Sequence, residues 1–229
     1  MEIVLVRHGQ PAWSADGIAY NDPGLTDLGH AQAARMAERV AGMGDVDHFL
    51  VSPMVRARET AAPLARLLGR EPQVLSWLRE IQLPADWDGA PIDRIADAFR
   101  ERRSADRATW WEPVAPGAES FTNFHRRVTR GTELALAEVG VVPHPRDPEA
   151  VWDLPEDPGR VVVVAHAGTN SSILGRLLGI EPRPWEWERF ASRHASVTLL
   201  STTEIGPGWI FALDRFSGVG HLDDLEVTR

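Results

Sequence analysis

Residues 1–9, Met1-Glu2-Ile3-Val4-Leu5-Val6-Arg7-His8-Gly9, hold four consecutive aliphatic side chains that stop abruptly at a charged pair. An unbroken run of this kind, with β-branched members, reads as a strand buried on both faces, as in a parallel sheet covered by helices. Ligands of such sheets collect at the carboxyl ends of the strands. Arg7 and His8 stand at that end, a fixed cation beside a nucleophile or base, and Gly9 keeps the backbone bare where a ligand would approach. A second run, Arg160-Val161-Val162-Val163-Val164-Ala165, ends in His166-Ala167-Gly168. Parallel strands point their carboxyl ends the same way, so both imidazoles are expected to reach one cleft.

Composition narrows the chemistry. The chain has 229 residues, 43% hydrophobic and 25% charged, which suits one α/β domain over 1–229 with a sizeable core. It has no Cys, which excludes disulfides, thiolate nucleophiles and Cys-based zinc sites. All 24 basic residues are Arg, which excludes Schiff-base chemistry and a P-loop lysine. Phosphate, if handled, must be handled by arginine and histidine. The net charge of −9 argues against nucleic-acid or anionic-membrane partners. No apolar run approaches the roughly 20 residues that span a bilayer. A strand entered at residue 3 leaves no room for a signal peptide, so a cytoplasmic location is expected. No metal-ligand spacing and no cofactor motif occur, and a homo-oligomer is compatible with the sequence.

Between the two runs, turn residues place a loop over 10–25. Thr26 is positioned to cap a helix over Asp27–Ala41, with Gly42 and Gly44 as stops. Residues 49–51 read as a strand broken by Ser52-Pro53, followed by a helix over Val55–Leu68 that ends at Gly69. A short strand over 73–75 leads to Leu78-Arg79-Glu80. Residues 81–116 carry Trp87, Trp110, Trp111 and an arginine-rich run, and read as a cap excursion with a helix near 91–106. Pro116-Gly117 is expected to open a helix through residue 139. Residues 140–159 hold five Pro and read as a surface loop. A helix follows His166 to about 178, and strands over 196–200 and 209–213 form a hairpin turned by Gly206-Pro207-Gly208. The fold class expected is α/β: a three-layer sandwich with a mostly parallel sheet flanked by helices and a small cap insertion.

The segment after the 49–51 strand, Ser52-Pro53-Met54-Val55-Arg56, puts Arg56 on the first turn of a helix whose N-terminus faces the same end of the sheet. A helix N-terminus suits an oxyanion, and arginine donates bidentately to phosphate oxygens. Two arginines and two histidines about one point make a site for a dianionic tetrahedral group.

LVRHGQ, SPMVRARETA, LREI, DWDG, GAESF and VVVVAHAG, in this order, resemble the histidine phosphatase superfamily, the family of cofactor-dependent phosphoglycerate mutases and acid phosphatases. The resemblance implies a phosphoglycerate mutase-like fold with His8 as the nucleophile that becomes phosphorylated. Arg7, Arg56 and His166 would bind the phosphoryl oxygens, with Gly9 and Ser14 beside them. Glu80 would protonate the leaving oxygen and then activate water; its apolar neighbours Leu78 and Ile81 suit a raised pKa. Gln10 stands where many relatives carry Glu, Ser14 where they carry Asn, and His194 where Asn or a small residue is commoner. Gln10, Trp87, Trp110 and Trp111 are read as substrate-side residues; for the tryptophans plain packing is the first reading, and an aromatic entrance for a bulky or sugar-like leaving group the alternative. His30, His48, His125, His144 and His221 read as surface or packing residues.

The activity expected is metal-independent hydrolysis of a small phosphorylated metabolite, an acid phosphatase-type phosphomonoesterase without cofactor. One alternative is a bisphosphate-dependent mutase, with Arg100, Arg102, Arg103 and Arg107 holding a second anion. Against it, Ile81-Gln82-Leu83 replace the Arg-His-Tyr that usually follows the mutase general acid, and the larger mutase cap is missing. A further alternative is a non-catalytic phospho-ligand-binding protein.

Overall fold

The computed structural model describes residues 1–15 and 17–229; Asp16, within the loop expected over 10–25, lies outside the described residues. In chain order the elements are β1 (Glu2–Arg7), β2 (Ser14–Ala15), β3 (Ile18–Ala19), α1 (Asp27–Ala41), β4 (His48–Val51), α2 (Val55–Leu68), β5 (Gln73–Val74), α3 (Ile92–Ser104) and α4 (Phe121–Glu138). There follow β6 (Val142–Pro143), β7 (Trp152–Asp153), β8 (Arg160–Ala165), α5 (Ala167–Leu177), α6 (Glu186–Arg189), β9 (Val197–Ile205) and β10 (Gly208–Gly218).

The main sheet runs β5-β4-β8-β1-β9-β10-β7-β6. Its β1 residues are covered on both sides, which is why aliphatic runs can occupy every position. Ile3, Leu5, Val161 and Val163 pack with Phe124 and Val128 of α4 and with Ile173, Leu174 and Leu177 of α5. Val4, Val6, Val162 and Val164 face the other way, onto Met36, Ala37 and Val40 of α1 and Ala57, Ala61 and Leu64 of α2. The alternation is the period of two that a pleated strand imposes, and it yields three layers. α1 is capped as expected, the Thr26 hydroxyl accepting from Gly29 N–H at 3.0 Å. Gly69, at φ +63°, ends α2 in the left-handed region that glycine tolerates.

The register of β1 on β8 positions the site. Arg7 lies opposite Ala165, so His8 and His166 each follow one residue beyond a paired position. The His8 N–H continues the ladder, donating to Ala165 C=O at 3.0 Å.

The sheet is mixed, not mostly parallel. β5, β4, β8 and β1 are parallel, whereas β9 joins β1 antiparallel and β10, β7 and β6 continue antiparallel. The β9–β10 pair is joined through Gly206-Pro207, a connection too short for anything but antiparallel neighbours. Both strands outrun their expected 196–200 and 209–213 spans. Residues 140–159 are not simply a surface loop either. They contribute β6 and β7, and Trp152 is wholly buried against Phe211, with the Arg176 guanidinium 4.6 Å over its ring. An aromatic anchor overrides the proline content, and Pro143 is tolerated because β6 is the outermost strand. α4 begins at Phe121 rather than near 117, because Gly117 turns at φ +85° and Ser120 supplies the cap, accepting from Asn123 N–H.

The cap over 81–116 has a small core of its own, Trp87, Ala90 and Ile95 with Ala19 of β3. Removing the β7 anchor tests the edge assignment. Trp152→Ala is expected to lower unfolding free energy by about 3–5 kcal/mol. Leu225→Ala, at a side chain 94% exposed, is expected to change it by less than about 0.5 kcal/mol in the same urea titration.

Candidate active site

His8 is buried, and its Nδ1 lies 2.7 Å from Gly9 C=O. A carbonyl only accepts, so Nδ1 carries the proton and Nε2 keeps its lone pair. The His166 ring stands across from it, centroids 5.2 Å apart at 60°. His166 Nε2 is 2.7 Å from Ser52 Oγ, which itself accepts from Met54 N–H at 3.3 Å. The Ser52 hydroxyl is free to turn its proton to His166 Nε2, which puts the ring proton on Nδ1, a buried atom with no partner. Burial first, then the surrounding positive charge, pushes both imidazole pKa values well below their ordinary 6.5.

Two guanidiniums complete the cluster. Arg7 donates from Nη1 to Ser192 C=O at 2.6 Å and from Nη2 to His194 Nε2 at 3.0 Å. Arg56, 2% exposed, donates weakly to Asn21 C=O and pairs with Asp22 at 3.3 Å. Its flat face lies 4.6 Å over Trp13, whose ring also meets His8 at 6.4 Å. The Nε of each arginine is buried and unpartnered. Burial draws both guanidiniums down to about 10, with Glu80 pulling each back up.

Glu80 accepts from Ile81 N–H at 3.0 Å and from Gly168 N–H, in the first turn of α5, at 2.8 Å. Desolvation still raises its pKa above the ordinary 4.5, against those hydrogen bonds and the fields of Arg56 and Arg7. A Cβ at Gly168 would lie 2.5 Å from Glu80 Oε1, so the bare glycine leaves the carboxyl its present position. Arg56, Glu80 and Gly168 open onto a cleft of about 940 Å³, which continues past Leu83, Phe99 and Trp187 into a second cavity of about 310 Å³. Among the described residues, no three His, Asp or Glu side chains group as a metal site, and no helix is long and apolar enough to cross a membrane.

Residues 3–211 match the family described as the histidine phosphatase superfamily, branch 1. The chain belongs to that family. Among curated relatives, the probable phosphoglycerate mutase GpmB of Salmonella paratyphi B is 26% identical over 233 residues, covering 97% of this chain and 95% of that protein. The PE-PGRS family protein PE_PGRS11 of Mycobacterium tuberculosis is 45% identical over 82 residues, but this stretch is 34% of the chain and only 14% of that protein. Among solved structures, a mycobacterial glucosyl-3-phosphoglycerate phosphatase superposes with TM-score 0.69 at 27% identity, covering 95% of this chain and 99% of that one. A structure titled mycobacterial hydrolase 2 gives TM-score 0.70 at 29% identity, covering 97% and 93%.

In this histidine phosphatase family member, several expected site residues sit elsewhere. Gly9 is not bare for a ligand: a Cβ there would meet Gly29 C=O at 2.5 Å, so the glycine lets α1 approach the end of β1. Gln10 is not substrate-side; its Oε1 accepts from the Thr26 hydroxyl at 2.9 Å, tying it to the α1 cap. Ser14 is exposed on β2, and the neighbouring Trp13 lines the cleft instead. The α2 N-terminus is engaged by Asp22, which accepts from Val55 N–H at 2.9 Å. Trp87 is the centre of the cap core, and Trp111 packs edge-on against Phe121, so neither forms an entrance. Trp110 does line the second cavity, with Trp187. Sequence reasoning missed Trp13 and Ser52, one read as loop and the other as a strand breaker. His194 had no assignable place, and it lies 5.7 Å ring to ring from His8.

These neutral histidines couple folding to pH. His8, His166 and His194 bind protons more weakly folded than unfolded, where each titrates near 6.5. Their penalty is absent above that value and grows as pH falls below it, while Glu80, with its raised value, acts in the opposite sense. The urea midpoint is expected to drop between pH 7.5 and pH 5. His166→Asn is expected to flatten that dependence, as measured by fluorescence-monitored unfolding.

Proposed function

We propose that this chain is a phosphomonoester hydrolase that acts on a small phosphorylated metabolite through a phosphohistidine at His8. The observation that carries the reading is a set of three buried, unpartnered nitrogens, Arg7 Nε, Arg56 Nε and His166 Nδ1. They belong to the residues whose charges act on His8. Buried donors without acceptors are costly, and three phosphoryl oxygens would satisfy them.

The His8 Nε2 lone pair attacks phosphorus while the bond to the ester oxygen breaks. Arg7, Arg56 and His166 hold the phosphoryl oxygens, and Glu80 gives its proton to the departing alcohol. Glu80, now a carboxylate, takes a proton from water, whose oxygen attacks the phosphohistidine and restores His8 and inorganic phosphate. Charge on the transferred group is met by side chains, so no metal or cofactor enters the scheme. The similarity to a phosphatase of glucosyl-3-phosphoglycerate supports hydrolysis of a metabolite ester.

The cap arginines do not favour the mutase alternative. Arg100 pairs with Asp97, Arg102 donates to Glu112 C=O and Arg103 approaches Glu188 at 3.8 Å. Arg79 is different: it is exposed, lines the large cleft beside Glu80, and makes no ion pair among the described residues. It is placed to receive a carboxylate on the leaving group, a feature shared by glucosyl-3-phosphoglycerate.

His8→Ala is expected to lower kcat by roughly 10³-fold or more with the circular dichroism spectrum unchanged. Wild-type protein quenched in alkaline detergent should carry an acid-labile, alkali-stable phosphoryl label; full activity in the variant would refute the covalent route. Turnover should persist below pH 6.5, because His8 stays neutral there, and fall as pH rises through the elevated value of Glu80. Glu80→Gln should abolish that alkaline fall, and EDTA should leave the rate intact. Arg79→Ala should raise KM for O-phosphoserine and 3-phosphoglycerate about two- to fivefold and leave p-nitrophenyl phosphate unaffected, in steady-state assays.

A further inference from the structure

His194 occupies a position that the hydrolytic scheme does not use, yet its contacts lead directly to Arg7. It is buried, and Nε2 lies 3.0 Å from Arg7 Nη2. Arginine can only donate, so Nε2 must accept, and the ring proton must sit on Nδ1. Nδ1–H then donates to Thr228 Oγ1 at 2.9 Å. The same hydroxyl oxygen accepts from Gln32 Nε2–H, also at 2.9 Å, and Gln32 Oε1 accepts from Gln10 N–H at 2.7 Å. One threonine hydroxyl therefore joins the residue before His8 to the backbone two residues after it. The backbone repeats the clamp: His194 N–H donates to Thr228 C=O at 3.1 Å, and Gln32 also donates to Glu226 C=O at 2.6 Å.

The turn that presents His194 is itself strained. Ala195 is wholly buried at φ +49°, in the left-handed region that alanine disfavours, and its N–H donates to His8 C=O at 3.1 Å. Burial, with Arg7 next, draws His194 down to about 3, so it stays the neutral acceptor that Arg7 needs.

We propose that His194, with its tautomer set by Arg7 and its ring held in place by Thr228, is a positioning residue that aims the free N–H groups of Arg7 at the phosphoryl group. The segment Glu226–Thr228 thereby becomes part of the catalytic apparatus. Nη1 and Nη2 of Arg7 each give one hydrogen to the scaffold, Ser192 C=O and His194. Nε–H and the remaining hydrogens of the fork are left for the anion. Without Thr228, the Nδ1–H edge of the ring loses its anchor, so the imidazole swings away from Arg7 and the fork turns with it. This proposal rests on the phosphatase reading.

The test uses full-length Thr228→Val, Thr228→Ser, His194→Ala and the double variant His194→Ala/Thr228→Val, each assayed where circular dichroism shows it folded. Thr228→Val and His194→Ala are expected to lower kcat/KM for p-nitrophenyl phosphate and weaken vanadate inhibition by the same factor, on the order of tenfold or more. Thr228→Ser should restore both, and the double variant should be no worse than His194→Ala alone. Unchanged vanadate inhibition in Thr228→Val, or additive losses in the double variant, would overturn the proposal. If His194→Ala does not fold, Thr228→Val against Thr228→Ser decides the matter. A wild-type protein indifferent to vanadate would bring down the phosphatase reading along with it.

Discussion

Crowding of positive charge around one buried imidazole is the constraint on which the rest of the structure depends. Arg7, Arg56 and His166 all act on His8, and each loses hydration where it sits. Such a cluster would not hold together on Coulombic grounds, so the scaffold must hold it. Arg7 is tied to Ser192 and His194, Arg56 is stacked on Trp13 and paired with Asp22, and His166 is fixed through Ser52. The imidazoles relieve their share by staying neutral. The guanidiniums cannot, and their buried Nε atoms remain the sharpest sign of an anion's place.

Close backbone approach makes this geometry possible. Gly9 and Gly29 let the start of α1 press against the turn after β1, each occupying the space where the other's neighbourhood would meet a Cβ. Gly168 lets the Glu80 carboxyl rest on the first turn of α5, where the Gly168 N–H donates to it. The carboxyl is thus held beside two cations and two amide donors, yet desolvation still favours its protonated form. A carboxyl drawn toward its protonated form and a neutral imidazole coexist because burial shifts an acid and a base in opposite directions.

The aromatic residues divide between scaffold and cleft in a way that spacing alone does not disclose. Trp87 and Trp152 anchor a cap core and a sheet edge, whereas Trp13 and Trp187 line the open cleft. All occur in segments rich in proline or glycine, where neither helical nor strand periodicity operates. Which tryptophan points inward depends on what packs above it, such as β3 on the cap or β10 on β7. For the same reason the Pro-rich stretch concealed the last two strands of the sheet, and the sheet proved mixed.

The sequence by itself determined the two aliphatic strands, the helices Asp27–Ala41 and Val55–Leu68, and the quartet Arg7, His8, Arg56 and His166, because these rest on local rules. Buried runs, caps, stop glycines and the carboxyl ends of strands act over a few residues and are written into adjacent positions. Only the tertiary structure decided that Gly9 serves helix packing, that the Gln10 side chain is tied to the Thr26 cap, and that His194 is held against Arg7 by Thr228. Those outcomes depend on contacts between residues far apart in the chain, such as Arg7 and His194 or Gln32 and Thr228. A hydrogen bond across that separation leaves no periodic or compositional trace, since its partners are brought together only when the sheet closes.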